Sequence, residues 1–378
     1  SANKMYTDGS GTANIAFAGF TAPKILCMRE NEPENFAKIQ KIMLPKDYLA
    51  YCLSGTFCTD YSDASGMLLL DVEHKCWSNE MLDLCGITEQ QLPTLYESYD
   101  VVGTIKSEIA QELGLLPDTK IIAGAGDNAA AAVGTGTVGN GRCNLSLGTS
   151  GTIFISSKEF RVDEHNALHS FDHADGYYHL MGCMLSAASC NKWWMDEILK
   201  TTAYQEEQEN ITKLGENSVF YLPYLMGERS PHNDPKARAT FTGMTMDTTR
   251  EDMTLAVLEG VAFGLRDSLE IARKLGIPIQ RSKICGGGAK SPLWRKIIAN
   301  VMNLSLDIIE SEEGPGYGAA MLAAVGCGIF ETVEDAANKL VKVTDTVEPD
   351  PELVNKYEKR YQQSKQIYPA LKDIFQQI

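Results

Sequence analysis

The sequence predicts an α/β protein with two lobes, and three observations indicate this fold class. Strands alternate with helices up to about Gly139, short strands joined by tight turns follow from Arg142, and a strand, a glycine turn and a helix recur as a unit in the second half. A length of 378 residues fits two domains or one large domain. We therefore predict a first domain at 1–139, with a flexible start, and a second domain at 140–378.

Composition limits the partners that this chain is expected to have. A formal net charge of −16 argues against nucleic acid and against an anionic membrane surface, because no basic segment compensates the repulsion. No segment reaches the ~18 uninterrupted apolar residues of a membrane span, and the polar start lacks the apolar region of a signal peptide. We expect a cytoplasmic protein that acts on small molecules.

The elements of the first domain follow from apolar spacing and helix stop signals. Apolar spacing between Asn31 and Gly55 predicts two short helices that are separated at Pro45. The segment WSNEMLDLCG predicts a helix that is capped by Ser78 and ended by Gly86. KSEIAQELG predicts a further helix and TKIIAG a strand, for which we expect parallel pairing.

The second domain opens with strands and continues with helices. NLSLGTSGTIFISS and GYYHLMGCM predict hairpins, since apolar residues alternate or run together around turns. Thr249 and Asp252 form a capping box that opens a long amphipathic helix, which is expected to end at Gly276. SKICGGGAKSPLWRKIIANVMN predicts a strand, a glycine turn and a helix capped by Ser291, and a C-terminal helix is expected from about Pro351.

Three glycine turns are candidate phosphate sites, because free backbone amides at such turns attract anions. They are Gly124-Ala-Gly-Asp127, Leu147-Gly-Thr-Ser-Gly151 and Gly286-Gly-Gly-Ala-Lys-Ser291. The second turn also offers the hydroxyls of Thr149 and Ser150. For each of them alone the alternative is an ordinary tight turn. A Walker A sequence is absent. A dinucleotide-binding fingerprint at the first turn is excluded as well, because it would place the Asp127 carboxylate against a pyrophosphate of the same charge.

Asp127 has two interpretations, which the local sequence leaves equal. A carboxylate is repelled by polyphosphate, so Asp127 suits the role of a general base for a hydroxyl that attacks a terminal phosphate. An Asp between a strand and a helix can also be a helix N-cap without any catalytic role. The small residues before it leave room for a substrate, and the alanines after Asn128 are expected to let the helix pack closely against its strand.

Other polar residues carry weaker signals. Glu228 and Arg229 suit a salt bridge better than the alternative, a brace for a phosphate site. His169, His173 and His179 resemble a metal-ligand spacing, but alternating strand residues explain them more simply. We therefore assign no metal ligand to this chain.

Eight segments together resemble the FGGY family of carbohydrate kinases, most closely the members that phosphorylate D-xylulose. The resemblance extends from about Ile15 to the C-terminal helix. In chain order the segments are GFTAPKIL, LPKDYLAYCLSG, SDASGMLLLD, AGAGDNAAAAVG, LSLGTSG, HSFDHADGYYHLMGCMLSAASC, LPYLMGERSPHN and GGGAKSPLWR.

This resemblance implies a two-lobe fold like that of the actin and hexokinase ATPases, which is also called ribonuclease H-like. It implies that ATP and Mg²⁺ are used to convert D-xylulose to D-xylulose 5-phosphate. Asp127 then resembles the catalytic base and Asn128 its sugar-binding neighbour. The residues that the resemblance places at the nucleotide are Gly148, Thr149, Ser150, Gly151, Ala187, Ala188, Gly287, Gly288 and Ala289.

The sequence departs from the family pattern in two respects. Family members begin with a strand, turn and strand bearing Asp-x-Gly-Thr, and a Met-His pair follows; this sequence begins after both, so we expect an incomplete first lobe. Cys27 stands where the first family signature usually has Trp. Two alternative functions stay open: a kinase for ribulose, gluconate or glycerol, and an inactive fragment that only binds a nucleotide or sugar. Association into a homodimer also stays open.

Overall fold

The structure, a computed structural model, describes residues 12–16, 19–310 and 313–378. The flexible start that the sequence predicts lies outside these residues. Within them, helices and strands mix along the whole chain, which confirms the predicted α/β class. In the described part of the chain, no helix is both long enough and apolar enough to span a membrane.

Two compact units divide the chain. Unit 1 consists of Ser1–Asn140, Ser156–Leu180 and Glu313–Val341, and unit 2 consists of Gly141–Ile155, Met181–Glu312 and Lys342–Ile378. The first segment of unit 1 ends near the predicted boundary, but each unit also contains later segments. The sequence domains 1–139 and 140–378 stay a prediction, because the units are interleaved along the chain.

The helices among the described residues are numbered in chain order. They are α1 Thr21–Asn31, α2 Pro33–Phe36, α3 Pro45–Ser54, α4 Tyr61–Ala64, α5 Asn79–Cys85, α6 Ser107–Leu113, α7 Asp127–Gly134, α8 Ala188–Trp193, α9 Glu206–Glu209, α10 Arg250–Lys274, α11 Pro292–Met302, α12 Gly314–Gly326, α13 Val333–Leu340, α14 Pro351–Ser364 and α15 Ile367–Phe375.

The strands are numbered in the same way. They are β1 Cys58–Asp60, β2 Leu70–Asp71, β3 Cys76–Trp77, β4 Thr94–Tyr96, β5 Val101–Thr104, β6 Lys120–Ile122, β7 Cys143–Leu147, β8 Gly151–Ser157, β9 His169–Asp172, β10 Tyr178–Met184, β11 Phe220–Leu222, β12 Thr240–Thr242, β13 Arg281–Cys285, β14 Ser305–Ile309 and β15 Val343–Val347.

Strand pairing in unit 1 is only partly as predicted. β1 and β4 pair in parallel, whereas β5 and β6 pair antiparallel, with Thr104 opposite Lys120. The expectation of parallel pairing for β6 is therefore wrong. The N–H of Ile105 donates to the carbonyl of Thr119 at 2.9 Å, so the two ends of the connection lie side by side and the chain must return in the opposite direction.

In unit 2, strands β15, β14, β13, β7, β8 and β10 form a sheet in this order. β13 lies between β7 and β14 and is parallel to both. β7 and β8 form the predicted hairpin, in which Leu147 faces Gly151 across the turn. β9 and the first residues of β10 belong to unit 1.

Helix α10 confirms the longest helix that the sequence predicts. Thr249 accepts the N–H of Asp252 and completes the predicted capping box. The apolar positions that define its periodicity are all buried, namely Leu255, Leu258, Ala262, Leu265, Leu269 and Ala272. Residues 254–266 are all buried, however, so the middle of this helix is enclosed on every side and the period of 3.6 residues identified only some of its buried positions.

Helices α7 and α12 in unit 1 touch backbone to backbone. A Cβ on Gly318 would overlap the carbonyl oxygen of Ala130, and one on Gly134 would overlap the carbonyl oxygen of Gly314. A Cβ on Gly314 would also lie 3.3 Å from Cβ of Ala131, so one of the alanines that follow Asn128 lies at this helix-to-helix contact. The expectation that these alanines serve packing of the helix on its strand stays a prediction.

Candidate active site

Asp127 is the first residue of α7, which follows the loop after β6. The N-cap position is occupied by Gly126, whose carbonyl accepts the N–H of Ala130 at 2.9 Å. The interpretation of Asp127 as the helix N-cap is therefore wrong, because the N-cap precedes the first helical residue. The side chains of Asp127 and Asn128 are both exposed.

Asn128 holds one oxygen of the Asp127 carboxylate. Oδ1 of Asp127 accepts the backbone N–H of Asn128 at 2.7 Å and its Nδ2 at 3.0 Å. Both hydrogen bonds use Oδ1, so Oδ2 takes no part in them. A carboxylate held in this way by one oxygen can accept a proton at the other.

The loop between β6 and α7 is held by two hydrogen bonds from its own backbone. Gly124 donates its N–H to the carbonyl of Ser98 at 3.0 Å, and Gly126 donates its N–H to the hydroxyl of Ser62 at 3.0 Å. Gly124 has a φ of +79°, a conformation that residues with a side chain rarely adopt. The glycines before Asp127 therefore allow a loop shape that places the acid at the helix start.

Three ionisable residues that the sequence analysis did not single out lie beside this loop. Nζ of Lys46 is 3.0 Å from Oδ1 of Asp60, which is buried. Burial raises the pKa of the Asp63 carboxyl to about 7, although the charge of Lys46 opposes the shift. A local signal existed only for Asp60, which caps α4 by accepting the N–H of Ser62.

The three histidines of the HSFDHADGYYH segment are structural. His169 lies 3.2 Å from Oδ1 of Asn14, and Nε2 of His173 lies 2.8 Å from the carbonyl of Thr137. Burial lowers the pKa of His179 well below its ordinary value, so this imidazole is neutral. Within the described ranges, no three His, Cys, Asp or Glu side chains come together as a metal site.

The turn Leu147–Gly151 between β7 and β8 exposes the side chains of Thr149 and Ser150. The carbonyl of Thr149 accepts the N–H of Ala187 at 2.9 Å, and that of Gly148 accepts the N–H of Ala188 at 2.8 Å. The turn and the start of α8 are thus joined through their backbones.

The glycine turn between β13 and α11 combines a packed and an open position. Ser291 caps α11, as predicted, by accepting the N–H of Trp294 at 3.1 Å. A Cβ on Gly288 would lie 2.7 Å from Cδ2 of Leu147, whereas one on Gly287 would meet nothing within 4 Å. Gly288 is therefore needed for close packing, and Gly287 leaves the turn open to a ligand.

A cleft of about 1130 Å³ in unit 2 brings these two turns together. The predicted nucleotide residues that line it are Gly148, Thr149, Ala188, Gly287 and Gly288. The other four predicted nucleotide residues do not line the cleft. Of these, Gly151, Ala187 and Ala289 are buried, and Ser150 is exposed. Their role at a nucleotide stays a prediction.

The cleft also contains residues that no motif indicated. They include Asn191, Lys192, Tyr204, Gln205 and Gln208. Gln208 accepts a hydrogen bond from the hydroxyl of Ser291 at 2.6 Å, which connects α9 to the cap of α11. These two residues are 83 positions apart, so no pattern of local spacing could have paired them.

Glu228 supports the segment that leads into α8. Its Oε1 accepts the N–H of Leu185 at 3.0 Å and that of Arg229 at 2.7 Å. Burial raises the pKa of the Glu228 carboxyl to about 8, although these hydrogen bonds oppose the shift. The hydroxyl of Ser150 also donates to the carbonyl of Leu185, at 3.2 Å. The choice between a salt bridge and a brace for a phosphate site stays a prediction.

Two family models match the chain. The N-terminal domain model of the FGGY family of carbohydrate kinases matches residues 4–134, and the C-terminal domain model matches residues 143–327. The xylulose kinase of Lactococcus lactis is 39% identical over 373 residues, which are 97% of this chain and 74% of that protein.

Solved structures agree with these matches. A crystal structure described as a xyloylose kinase from Brucella ovis has a TM-score of 0.92 and 38% identity to this chain. The match covers 99% of this chain and 78% of the Brucella ovis chain. The gluconate kinase of Lactobacillus acidophilus has a TM-score of 0.90 and 26% identity, and it covers 98% of this chain and 75% of that one.

Proposed function

The chain belongs to the FGGY family of carbohydrate kinases, and we propose that it transfers the terminal phosphate of MgATP to D-xylulose, giving D-xylulose 5-phosphate. The relative from Lactococcus lactis, which is named xylulose kinase, supports this choice of sugar. The position of Asp127 carries the chemical part of the proposal, because an exposed carboxylate at a helix start can meet a sugar hydroxyl.

Asp127 is the general base of the proposed reaction. As the hydroxyl oxygen of the sugar bonds to the terminal phosphorus, its proton passes to Oδ2 of Asp127, and the bond from that phosphorus to the bridging oxygen breaks and releases ADP. Oδ1 stays held by Asn128 during this step. Asn128 therefore orients the base and lies next to the sugar.

The cleft of unit 2 is the proposed nucleotide site. Thr149 and the amides of its turn are suited to phosphate oxygens, and the open face of Gly287 admits the nucleotide. Mg²⁺ enters as part of the substrate MgATP, since this ion is held mainly by phosphate oxygens and water. We assign no protein ligand to it.

A coupled assay of ADP formation tests the function with D-xylulose, D-ribulose, gluconate and glycerol. We expect turnover with D-xylulose above the other three, and loss of about 100-fold or more in kcat for Asp127→Asn with ATP binding retained. Asp118→Asn, an exposed carboxylate before β6, is the matched control. Undiminished turnover of Asp127→Asn would remove this residue from the mechanism.

Two alternative functions remain candidates. A preference for gluconate is the second candidate, which the similarity to the gluconate kinase of Lactobacillus acidophilus favours. Higher turnover with gluconate than with D-xylulose would select it. ATP binding without turnover of any of these sugars would instead indicate a protein that binds the nucleotide only.

A further inference from the structure

Lys46 in the first turn of α3 has a half-buried ammonium group with several partners. Its Nζ lies 2.9 Å from Oδ1 of Asp47 and 3.0 Å from Oδ1 of Asp60, and it donates to the carbonyl of Ala123 at 3.1 Å. The carboxylates of both partners are fully buried. One cation thus neutralises two buried acids and also holds the first residue after β6.

Asp60 extends this contact to the other end of the loop. Its Oδ2 accepts the backbone N–H and the hydroxyl of Ser62, together with the hydroxyl of Ser98 at 2.7 Å. The oxygen of Ser62 in turn accepts the N–H of Gly126, the residue before Asp127. A continuous chain of polar contacts therefore runs from Lys46 to the start of α7.

The aliphatic part of Lys46 also packs against the loop. A Cβ on Gly124 would lie 3.3 Å from Cδ of Lys46, so the lysine stem lies directly beside this glycine. A Cβ on Gly126 would lie 3.3 Å from Oδ1 of Asp63. Lys46 and Asp63 therefore border the loop at two of its glycines.

We propose that Lys46 is a positioning residue for Asp127: it fixes the loop Ala123–Gly126 at both ends and compensates the buried carboxylates of Asp47 and Asp60. This inference rests on the proposed function, in which Asp127 is the base. Lys46 touches neither the sugar nor the nucleotide in this proposal, and it acts through Ala123 and through Asp60 with Ser62.

Electrostatics are consistent with this geometry. Burial lowers the pKa of Lys46, but Asp60, Asp47 and Asp63 outweigh it, so its pKa lies above the ordinary value and the group is charged. For Asp63, burial raises the pKa, Lys46 lowers it, and Asp60, Asp47 and Asp127 raise it further. Removal of the cation would therefore make protonation of Asp63 more favourable.

Lys46→Met tests the proposal, because Met keeps much of the aliphatic stem and removes the charge. We expect kcat to fall by about 100-fold, with the Kd for ATP changed less than about 3-fold. Lys46→Arg should recover part of kcat, since it restores the cation, and Lys38→Met, an exposed lysine, should behave as wild type.

Ser62→Ala is the second variant, and it removes the acceptor for Gly126 without removing a charge. It should also lower kcat with ATP binding retained, and it keeps the proposal testable if Lys46→Met unfolds. Wild-type kcat in Lys46→Met or Ser62→Ala would overturn the inference. Equal losses of ATP binding and kcat would also overturn it, because they indicate a general folding role.

The outcome for Asp127→Asn separates this inference from the proposed function. If Asp127→Asn abolishes turnover and Lys46→Met does not reduce it, only the positioning role fails. If Asp127→Asn keeps wild-type turnover, the base assignment fails, and the positioning role fails with it.

Discussion

The backbone of Gly318 on α12 lies against the carbonyl oxygen of Ala130 on α7, with no room for a Cβ between them. Ala130 is three residues after Asp127, so this contact sets where the helix that carries the proposed base lies within unit 1. Substitution at Gly318 should therefore affect both stability and activity.

Gly318→Ala should lower the free energy of unfolding by about 1–3 kcal/mol, because the added methyl group forces α7 and α12 apart. The turnover number should fall as Asp127 moves with α7. Urea unfolding and the coupled kinase assay measure the two effects. Gly316→Ala on the same helix is the control, since a Cβ there meets nothing within 4 Å; equal stability of both variants would contradict the prediction.

Thr149→Val should weaken ATP binding more than sugar binding. The proposed contact of the Thr149 hydroxyl with a phosphate is a hydrogen bond to a charged group, so its loss should cost about 1.5–3 kcal/mol. Titration of ATP and of D-xylulose by calorimetry measures the two affinities separately. Thr152→Val in the adjoining strand β8 is the control. A similar loss of both affinities would point to misfolding rather than a phosphate contact.

Glu228→Gln should change how stability depends on pH. Burial raises the pKa of Glu228 to about 8, so the folded protein binds this proton more tightly than the unfolded chain does. This contribution to stability is complete below the unfolded pKa of about 4.5 and is lost as pH rises to about 8. The variant, which cannot ionise, should therefore gain stability relative to wild type over this range, by at most about 1.4 kcal/mol per pH unit.

Urea unfolding at pH 5, 6, 7 and 8, which spans the range in which Glu228 is expected to titrate, would measure the difference in free energy of unfolding between Glu228→Gln and wild type. Gln keeps the acceptor oxygen for Leu185 and Arg229, so the hydrogen bonds are retained. Glu164→Gln, at an exposed position, should run parallel to wild type. A difference that stays constant with pH would show that Glu228 does not titrate in this range.

Arg360→Met should destabilise unit 2, because it leaves a buried carboxylate without its partner. Arg360 pairs with Glu259 at 2.6 Å, and both side chains are almost fully buried. Loss of one partner of a buried pair costs about 3–5 kcal/mol, whereas its replacement by two apolar residues is often neutral. The double variant Glu259→Leu with Arg360→Met should therefore be more stable than Arg360→Met alone.

The exposed pair of Lys356 and Glu216, also at 2.6 Å, is the control for this comparison. Lys356→Met should change the free energy of unfolding far less than Arg360→Met does, because solvent screens the exposed pair. Guanidinium unfolding of the variants would compare the two pairs directly. Similar losses for Arg360→Met and Lys356→Met would show that burial does not decide the cost.

Local signals account for the parts of the fold that were predicted correctly. The capping box of Thr249, the hairpin at Leu147–Gly151 and the cap at Ser291 each depend on residues within a few positions of one another. The family resemblance is confirmed as well, and with it the actin- and hexokinase-like fold. The family could be recognised from the sequence because its motifs are short segments that occur in a fixed order along the chain.

Long-range contacts account for what was missed. The hydrogen bond from Lys46 to Ala123 joins residues 77 positions apart, and no spacing rule connects LPKDYL to IIAGAGD. The antiparallel pairing of β5 and β6 was missed for the same reason, since it depends on how the connection from Ile105 to Thr119 closes.

The amino-acid sequence by itself determined the family, the turns and helices, and Asp127 as the acid to examine, because glycine, proline and capping residues act on the backbone nearby. The tertiary structure decided where the helix that carries this acid lies: Gly318 and Gly134 let two helices meet at their backbones. It also decided that Lys46 lies beside Asp60 and Ala123. A buried charge must be compensated by whichever group the fold brings next to it, and only the folded chain specifies that neighbour.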